Sequence, residues 1–243
     1  ANMGRVKIAR KSTFIDMTAM SDVTVLLLTF FMLTSTFLQK EPTTVVTPPS
    51  VSTEKVQETN FVQVLVSPEG KVWLTMNNDT SSAWSNEKMR MALLDKVSEI
   101  YNESHKNKVS FNIAQKEAFS KLGSFGVPLQ QMGEFLNLAD QQEGQTKMDK
   151  WMQGEDDDRN HVSGIPISWN SDESTPNEFQ MWMKALRQTE NETLAQAIKD
   201  GTGVAIKADQ NTSFDIIHMV MDNLQTIHMN KFTFLTALKA PGE

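Results

Sequence analysis

The chain has 243 residues, no cysteine, and 23 lysines and arginines against 30 aspartates and glutamates, a net charge of −7. The missing cysteines exclude thiol catalysis, cysteine-ligated zinc, iron–sulfur clusters and disulfides. The acidic balance offers no long-range attraction to nucleic acid.

Charge and apolarity are distributed very unevenly. Residues 1–13 carry Arg5, Lys7, Arg10 and Lys11 and no acid, whereas from Lys40 onward 28 acidic residues outweigh 19 basic ones. Between them, residues 14–38 read as a transmembrane helix. Of the 16 residues from Val23 to Leu38, 11 are apolar and the rest are Thr or Ser, whose hydroxyls bond back to helix carbonyls. As a helix, Ile15 to Leu38 would span roughly 36 Å at ~1.5 Å per residue, against a hydrocarbon core of about 30 Å. A buried core helix would need a polar face, which the run lacks. A cleavable signal peptide would need a small-residue cleavage site after the run and no acid at its entrance. The expectation is an uncleaved single span, with the basic arm in the cytoplasm and the rest of the chain on the far side of the membrane.

Asp22 is the candidate functional residue. An ionised carboxylate in lipid costs about 2.5–3.5 kcal/mol on insertion scales, so it must face protein or water, or be protonated. Thr18, Asp22, Thr29 and Thr36 stand at i−4, i, i+7 and i+14 and share one helix face. A single helix encloses no water path, so this stripe calls for other helices, from a second copy of the chain or a polytopic partner. Burial there would let the carboxyl take up a proton from one side and release it to the other. Asp16, on a different face near the interface, is a secondary candidate, suited also to the helix dipole. The competing reading is that Asp22 fixes assembly only.

Residues 39–60 hold three prolines and many Thr and Ser without hydrophobic period and predict an extended tether, up to roughly 70 Å long at ~3.1 Å per residue. Residues 61–66 and 71–76 predict two strands around the turn Ser67–Gly70, with Val72, Leu74 and Met76 on one face. Met89, Leu93, Val97 and Ile100 predict an amphipathic helix over 86–101. Further on, Val109 to Ile113 reads as a strand, Pro128 to Ala139 as a helix opened by proline, and Glu178–Arg187 and Glu192–Lys199 as two more helices. Asp140 to Thr175 is polar, and its acidic run Glu155–Asp158 has the ligands to hold calcium but not the spacing of an EF-hand loop, so a solvated loop is the expectation. At the end, Val204–Lys207 reads as a strand, Thr212 with Asp215 as a capping box, Ile217, Val220, Met221 and Leu224 as a helix stripe, and Phe232, Phe234 and Leu235 as a final strand. The fold class expected is α+β: one transmembrane helix, a tether, and a domain of a small mixed β-sheet with helices on one face.

Two stretches carry a family resemblance. Residues 14–37, FIDMTAMSDVTVLLLTFFMLTSTF, resemble the membrane motif of the ExbD/TolR family of biopolymer transport proteins. Ile15, Asp16, Met17 and Thr18 lead to Asp22, Val23 and the leucines 26–28. Ala19 and Ser21 depart from the family's usual Pro and apolar residue. Residues 203–238 are similar to the family's closing strand, Ala-Asp turn, helix and final strand. The resemblance implies a bitopic inner-membrane subunit of a proton-driven motor, with Asp22 as the proton carrier. Its implied partners are a second copy as homodimer, a polytopic ExbB-like subunit and a TonB-like protein that spans the periplasm. It also divides the periplasmic part into an ExbD/TolR-like domain, residues 61–102 and 203–240, and a mostly helical insertion, residues 103–202.

No metal or cofactor is expected. An extracytoplasmic enzyme would have to draw its chemistry from His105, His161, His218 and His228, which no zinc-binding helix motif, nucleophile elbow or phosphate loop accompanies. Asp215, His218 and Asp222 share a helix face, which an exposed polar surface explains. A Tol-type envelope-constriction role and a passive membrane-anchored scaffold are the alternatives to a TonB-type motor.

Overall fold

The computed structural model describes residues 17–34, 41–50, 60–76, 86–189, 191–235 and 237–238. The chain falls into two compact units, residues 1–39 and 40–243. The first contains helix α1, Met17–Thr34.

The second unit is built on a five-stranded mixed sheet. Its strands are β2 (Val62–Val66), β3 (Val72–Met76), β4 (Ser124–Phe125), β5 (Val204–Ala208) and β6 (Thr233–Phe234), in the order β4-β3-β2-β5-β6. β2 and β3 pair antiparallel, as the turn between them dictates. Gly70 takes φ +83° there, a left-handed conformation that suits a residue without a Cβ. β5 joins β2 in parallel, and β6 joins β5 in parallel after helix α8, Phe214–Thr226. A separate pair, β1 (Pro49–Ser50) and β7 (Ala237–Leu238), also runs parallel.

Alternation along the strands decides the two faces. Val62, Val64, Val66, Val72, Leu74, Met76, Val204 and Ile206 point into one large core shared with the helices. The opposite face is not bare. Leu65 and Trp73 are buried there against Val45, and the Trp73 indole N–H donates to the Met152 carbonyl at 3.1 Å. Gly126 passes so close that a Cβ placed on it would lie 2.2 Å from the Trp73 ring.

Helix α2, Glu87–Ser104, starts at Asn86, whose side chain accepts from the Lys88 amide at 3.0 Å. Leu93 and Val97 of the expected stripe are buried, with Met89 and Ile100 packed at its margin. The sequence stripe gave no hint of Arg90, which is only 1% exposed. Its guanidinium donates to the carbonyls of Ser120, of Leu122, and of Met76 at 3.3 Å. It thereby ties α2 to the end of β3 and to the end of α3, Ile113–Lys121. Burial holds its pKa down at about 10.

The strand expected at Val109–Ile113 does not form. The Asn102 amide takes both ladder positions of Val109, donating to its C=O at 2.8 Å and accepting from its N–H at 2.7 Å. Asn112 and Gln115 then form a reciprocal capping box that starts α3 at Ile113.

Helix α4, Leu129–Asn137, follows Pro128 at the capping position and ends in a 3-10 turn, Leu138–Asp140, close to the expected extent. The polar stretch expected to be loop contains helix α5, Gly144–Gln153, anchored by buried Met148, Trp151 and Met152. Helices α6, Glu178–Arg187, and α7, Glu192–Asp200, fall where their periodicity places them.

Residues 103–202 share the core of the sheet rather than standing apart from it. β4 extends the sheet, and α6 packs against α2 and α8. A buried amide network fastens α6 to α8. Asn177 donates to the Asn223 side chain at 2.6 Å, Gln180 donates to the Asn223 carbonyl at 3.3 Å, and Asn223 donates to the Ser168 carbonyl at 2.9 Å.

The capping box expected from Thr212 and Asp215 is absent. Ser213 occupies the cap without a side-chain bond, and Thr212 is turned inward. The closing strand is shorter than expected, covering Thr233–Phe234.

Candidate functional site

α1 has 18 residues, about 27 Å of helix at ~1.5 Å per residue, close to the thickness of a hydrocarbon core of about 30 Å. It is long and apolar enough to cross a membrane, and none of it is buried in the protein. Its leucines, phenylalanines and valines stand exposed all round, which in water would be a heavy liability and in lipid is the expected surface.

The helix satisfies its own hydroxyls. Ser21 donates to the Met17 carbonyl at 2.8 Å, Thr24 to Met20 at 2.8 Å, Thr29 to Leu26 at 2.9 Å and Thr34 to Phe30 at 2.8 Å. These side chains therefore cost little in lipid. Asp22 differs: its carboxylate has neither a hydrogen bond nor an ion pair among the described residues. Thr18 and Thr29 lie on its helix face, at i−4 and i+7. Thr36 and Asp16 lie outside the described residues, so the stripe is seen over Thr18, Asp22 and Thr29 only. An apolar rod thus carries a single acid without an internal partner.

The segment expected as free tether includes a docked portion. Residues 41–48 lie on the sheet face opposite the main core. The Glu41 carboxylate meets Lys207 Nζ at 2.7 Å through both oxygens and accepts from Gln63 at 3.3 Å. The Asp209 carboxylate, 6% exposed as a residue, accepts from the Val46 amide at 2.9 Å and from the Asn211 amide at 2.9 Å. The Gln210 amide in turn donates to the Val46 carbonyl at 2.8 Å. The backbone bonds from Asn211 and Val46 hold the Asp209 carboxyl below the usual carboxylate range. The clue in the sequence was the pair Val45–Val46, two β-branched residues in an otherwise polar run, but nothing local tells which surface they meet.

The histidines do not converge. His105 stacks on Tyr101 at 4.0 Å, His218 lies against Phe214 and Trp169, and His228 meets Glu173 at 3.2 Å. His161 lies flat on the Trp151 ring at 3.5 Å, with Nδ1 bonded to Asp156 and Nε2 3.7 Å from both Glu134 and Asp158. Burial opposes its protonation, but the Asp156 bond and the three carboxylates outweigh burial and raise its pKa. Among the described residues no group of three or more His, Asp or Glu side chains stands ready to hold a metal. The Asp215, His218 and Asp222 face carries an aromatic contact of His218 with Trp169 and Phe214.

Among the described residues, an apolar helix able to span a bilayer and bearing a lone acid, with a separate α+β unit after it, fits the class of membrane-anchored α+β proteins. The family model for the biopolymer transport protein ExbD/TolR matches residues 9–239, and the chain belongs to that family. No curated protein matches the chain, and no solved structure does. The family is one of membrane transport proteins, and the match runs from before α1 to the end of the folded unit.

Proposed function

We propose that this chain is the bitopic subunit of a motor in the inner membrane, driven by the proton-motive force, with Asp22 as its proton carrier. The observation that carries this reading is the uncompensated Asp22 carboxylate on an otherwise self-satisfied apolar helix, in a chain of the ExbD/TolR family. A charge moved across the membrane draws about 2.3 kcal/mol per 100 mV, so one titrating carboxyl is an adequate coupling element. The basic residues 5–11 keep the N-terminus in the cytoplasm and put the folded unit in the periplasm. Thr18, Thr29 and Thr36 line the proton-carrying face, with Asp16 near the interface. The motor assembles as a dimer of this chain within a polytopic ExbB-like subunit and passes work to a TonB-like protein; it performs no enzymatic reaction.

The test is Asp22→Asn, which keeps size and hydrogen bonding but carries no proton. The altered chain should co-purify with its polytopic partner and support no energised uptake. Normal uptake by the assembled Asp22→Asn complex would overturn the proposal and leave the chain a passive scaffold. A deletion strain separates the two family roles: failure to grow on scarce iron chelates marks TonB-type uptake, and detergent sensitivity marks Tol-type constriction.

A further inference from the structure

Three cationic side chains line one cavity in a part of the chain where 28 acids outweigh 19 bases. The cavity lies between the end of α7 and the chain that leaves α8. Its volume is about 180 Å³, the share of about six waters at ~30 Å³ each, room for a tetrahedral oxyanion. Buried Ile198 and Met229 give it an apolar wall, and Arg187, Lys199 and Lys231 stand around it.

The backbone is built to bring these cations together. His228, the first residue past the α8 cap Ile227, takes a left-handed φ of 62°, and the Met229 amide donates back to the Leu224 carbonyl at 2.9 Å. The chain therefore turns as it leaves the helix and carries Asn230 and Lys231 to the end of α7. There Gly201, at φ +86°, leaves room for Lys231: a Cβ on the glycine would lie 2.5 Å from the Lys231 Cβ. The Arg187 guanidinium donates from one nitrogen to the Ile227 carbonyl, which fixes it beside the same turn.

Nothing within the protein answers the three charges. Among the described residues, the remaining N–H groups of Arg187 have no other partner, and the side chains of Lys199 and Lys231 make neither a hydrogen bond nor an ion pair. Two acids close by are engaged: Glu173 meets His228 at 3.2 Å and Lys184 at 3.9 Å, and Asp200 accepts from Gln196 at 2.9 Å. Helix dipoles account for a cation in the last turn of α6 and of α7, where Arg187 and Lys199 stand, but not for Lys231, which belongs to no helix. Like charges held around one cavity repel, and beside an apolar wall the repulsion is screened less than in open water. An anion in the cavity turns that repulsion into attraction.

We propose that this cavity binds a phosphate group, either as the free ion or on a lipid headgroup. The free N–H groups of Arg187 take one edge of the phosphate, and Lys199 and Lys231 answer its other oxygens as point charges. A carboxylate, with two oxygens and one charge, would leave part of this set unanswered. The proposal goes beyond the motor reading and does not depend on Asp22.

The experiment uses the full chain, with nuclear magnetic resonance following the Gly201, Asn230 and Lys231 amides. In maltoside micelles, which carry no phosphate, inorganic phosphate is titrated. In nanodiscs, phosphatidylcholine alone is compared with phosphatidylcholine plus phosphatidylglycerol. Saturable shifts with inorganic phosphate mark the free ion as the source, and shifts confined to the phosphatidylglycerol nanodiscs mark the headgroup. Lys199→Gln and Lys231→Gln alter exposed side chains, so each should melt as the wild type does and weaken the response about tenfold, the worth of one charge-assisted hydrogen bond. Lys231→Arg should bind as the wild type does, and so should Lys106→Gln, the same charge change outside the cavity. Absence of shifts in both arms, undiminished binding by Lys199→Gln and Lys231→Gln, or an equal loss in Lys106→Gln would each overturn the assignment. So would shifts with the acidic peptide acetyl-Asp-Glu-Asp-amide while both phosphate sources stay silent, in favour of a carboxylate ligand. No transport is read, so a negative result leaves the motor proposal standing.

Discussion

Replacing Asp209 by alanine should loosen the docked segment at Val46 without unfolding the unit. One Asp209 oxygen receives the Val46 amide and the other the Asn211 amide, each at 2.9 Å. Only the first bond crosses from the docked segment to the sheet. A hydrogen bond to a charged acceptor contributes about 1.5–3 kcal/mol, so local opening at Val46 should become roughly 10- to 150-fold more frequent. Hydrogen exchange at the Val46 amide measures this directly, and it should rise while exchange in β2 and β5 stays slow. Since the Asp209 pKa lies below its unfolded value, its contribution is present above the unfolded value of about 3.9 and fades as pH falls through the lower folded value. Wild-type exchange at Val46, corrected for intrinsic rate, should therefore climb towards that of Asp209→Ala only in strong acid. Equal protection of Val46 in the two proteins at neutral pH would refute the argument, because docking would then rest on Glu41 with Lys207 and Gln63, the Gln210–Val46 backbone bond and Val45 packing.

Arg90→Met should lower stability by about 3 kcal/mol, since buried carbonyls of Ser120, Leu122 and Met76 lose their donor; for a unit of this size thermal melting should fall by about 6–12 °C. His161→Gln should be costly in acid and nearly neutral in alkali. The His161 pKa is raised, so its stabilisation is complete below the unfolded value of about 6.5 and is lost as pH rises through the folded one, and melting of both proteins from pH 5 to pH 9 checks the convergence. Gly126→Ala should destabilise by about 1–3 kcal/mol or more, because its methyl group would strike the pinned Trp73 ring, and denaturant titration measures the loss.

The elements that were legible in the sequence are those whose burial pattern is their own. β2 and β3 alternate, and α2 and α6 repeat their apolar residues at helical spacing around asparagine caps at Asn86 and Asn177. Errors arose where a side chain from elsewhere decides the backbone. Val109 looks like a strand residue, and the Asn102 amide gives it the bonds a neighbouring strand would have given. Thr212 looks like a cap, and its side chain is buried instead, which no local pattern announces. Helix α5 starts at Gly144 after Glu143 in a left-handed conformation, without a side-chain cap, and so carries no start signal. Docking of residues 41–48 depends on Lys207 and Asp209, more than 160 positions away, a separation no local pattern can bridge. Asp22 was legible for the opposite reason. An acid in an apolar run is conspicuous without any tertiary knowledge, although the stripe around it is seen here only as far as Thr29.

Within the folded unit, Glu41 and Val46 are held by Lys207 and Asp209, which belong to β5 and the residue that follows it. β5 lies between β2 and β6 and bonds to both. A pull on residues 41–46, taken as a leash, is therefore delivered to an interior strand held on each side, where several rungs must yield together. A leash clipped to β6 would peel the sheet one rung at a time, and would give way at far lower load.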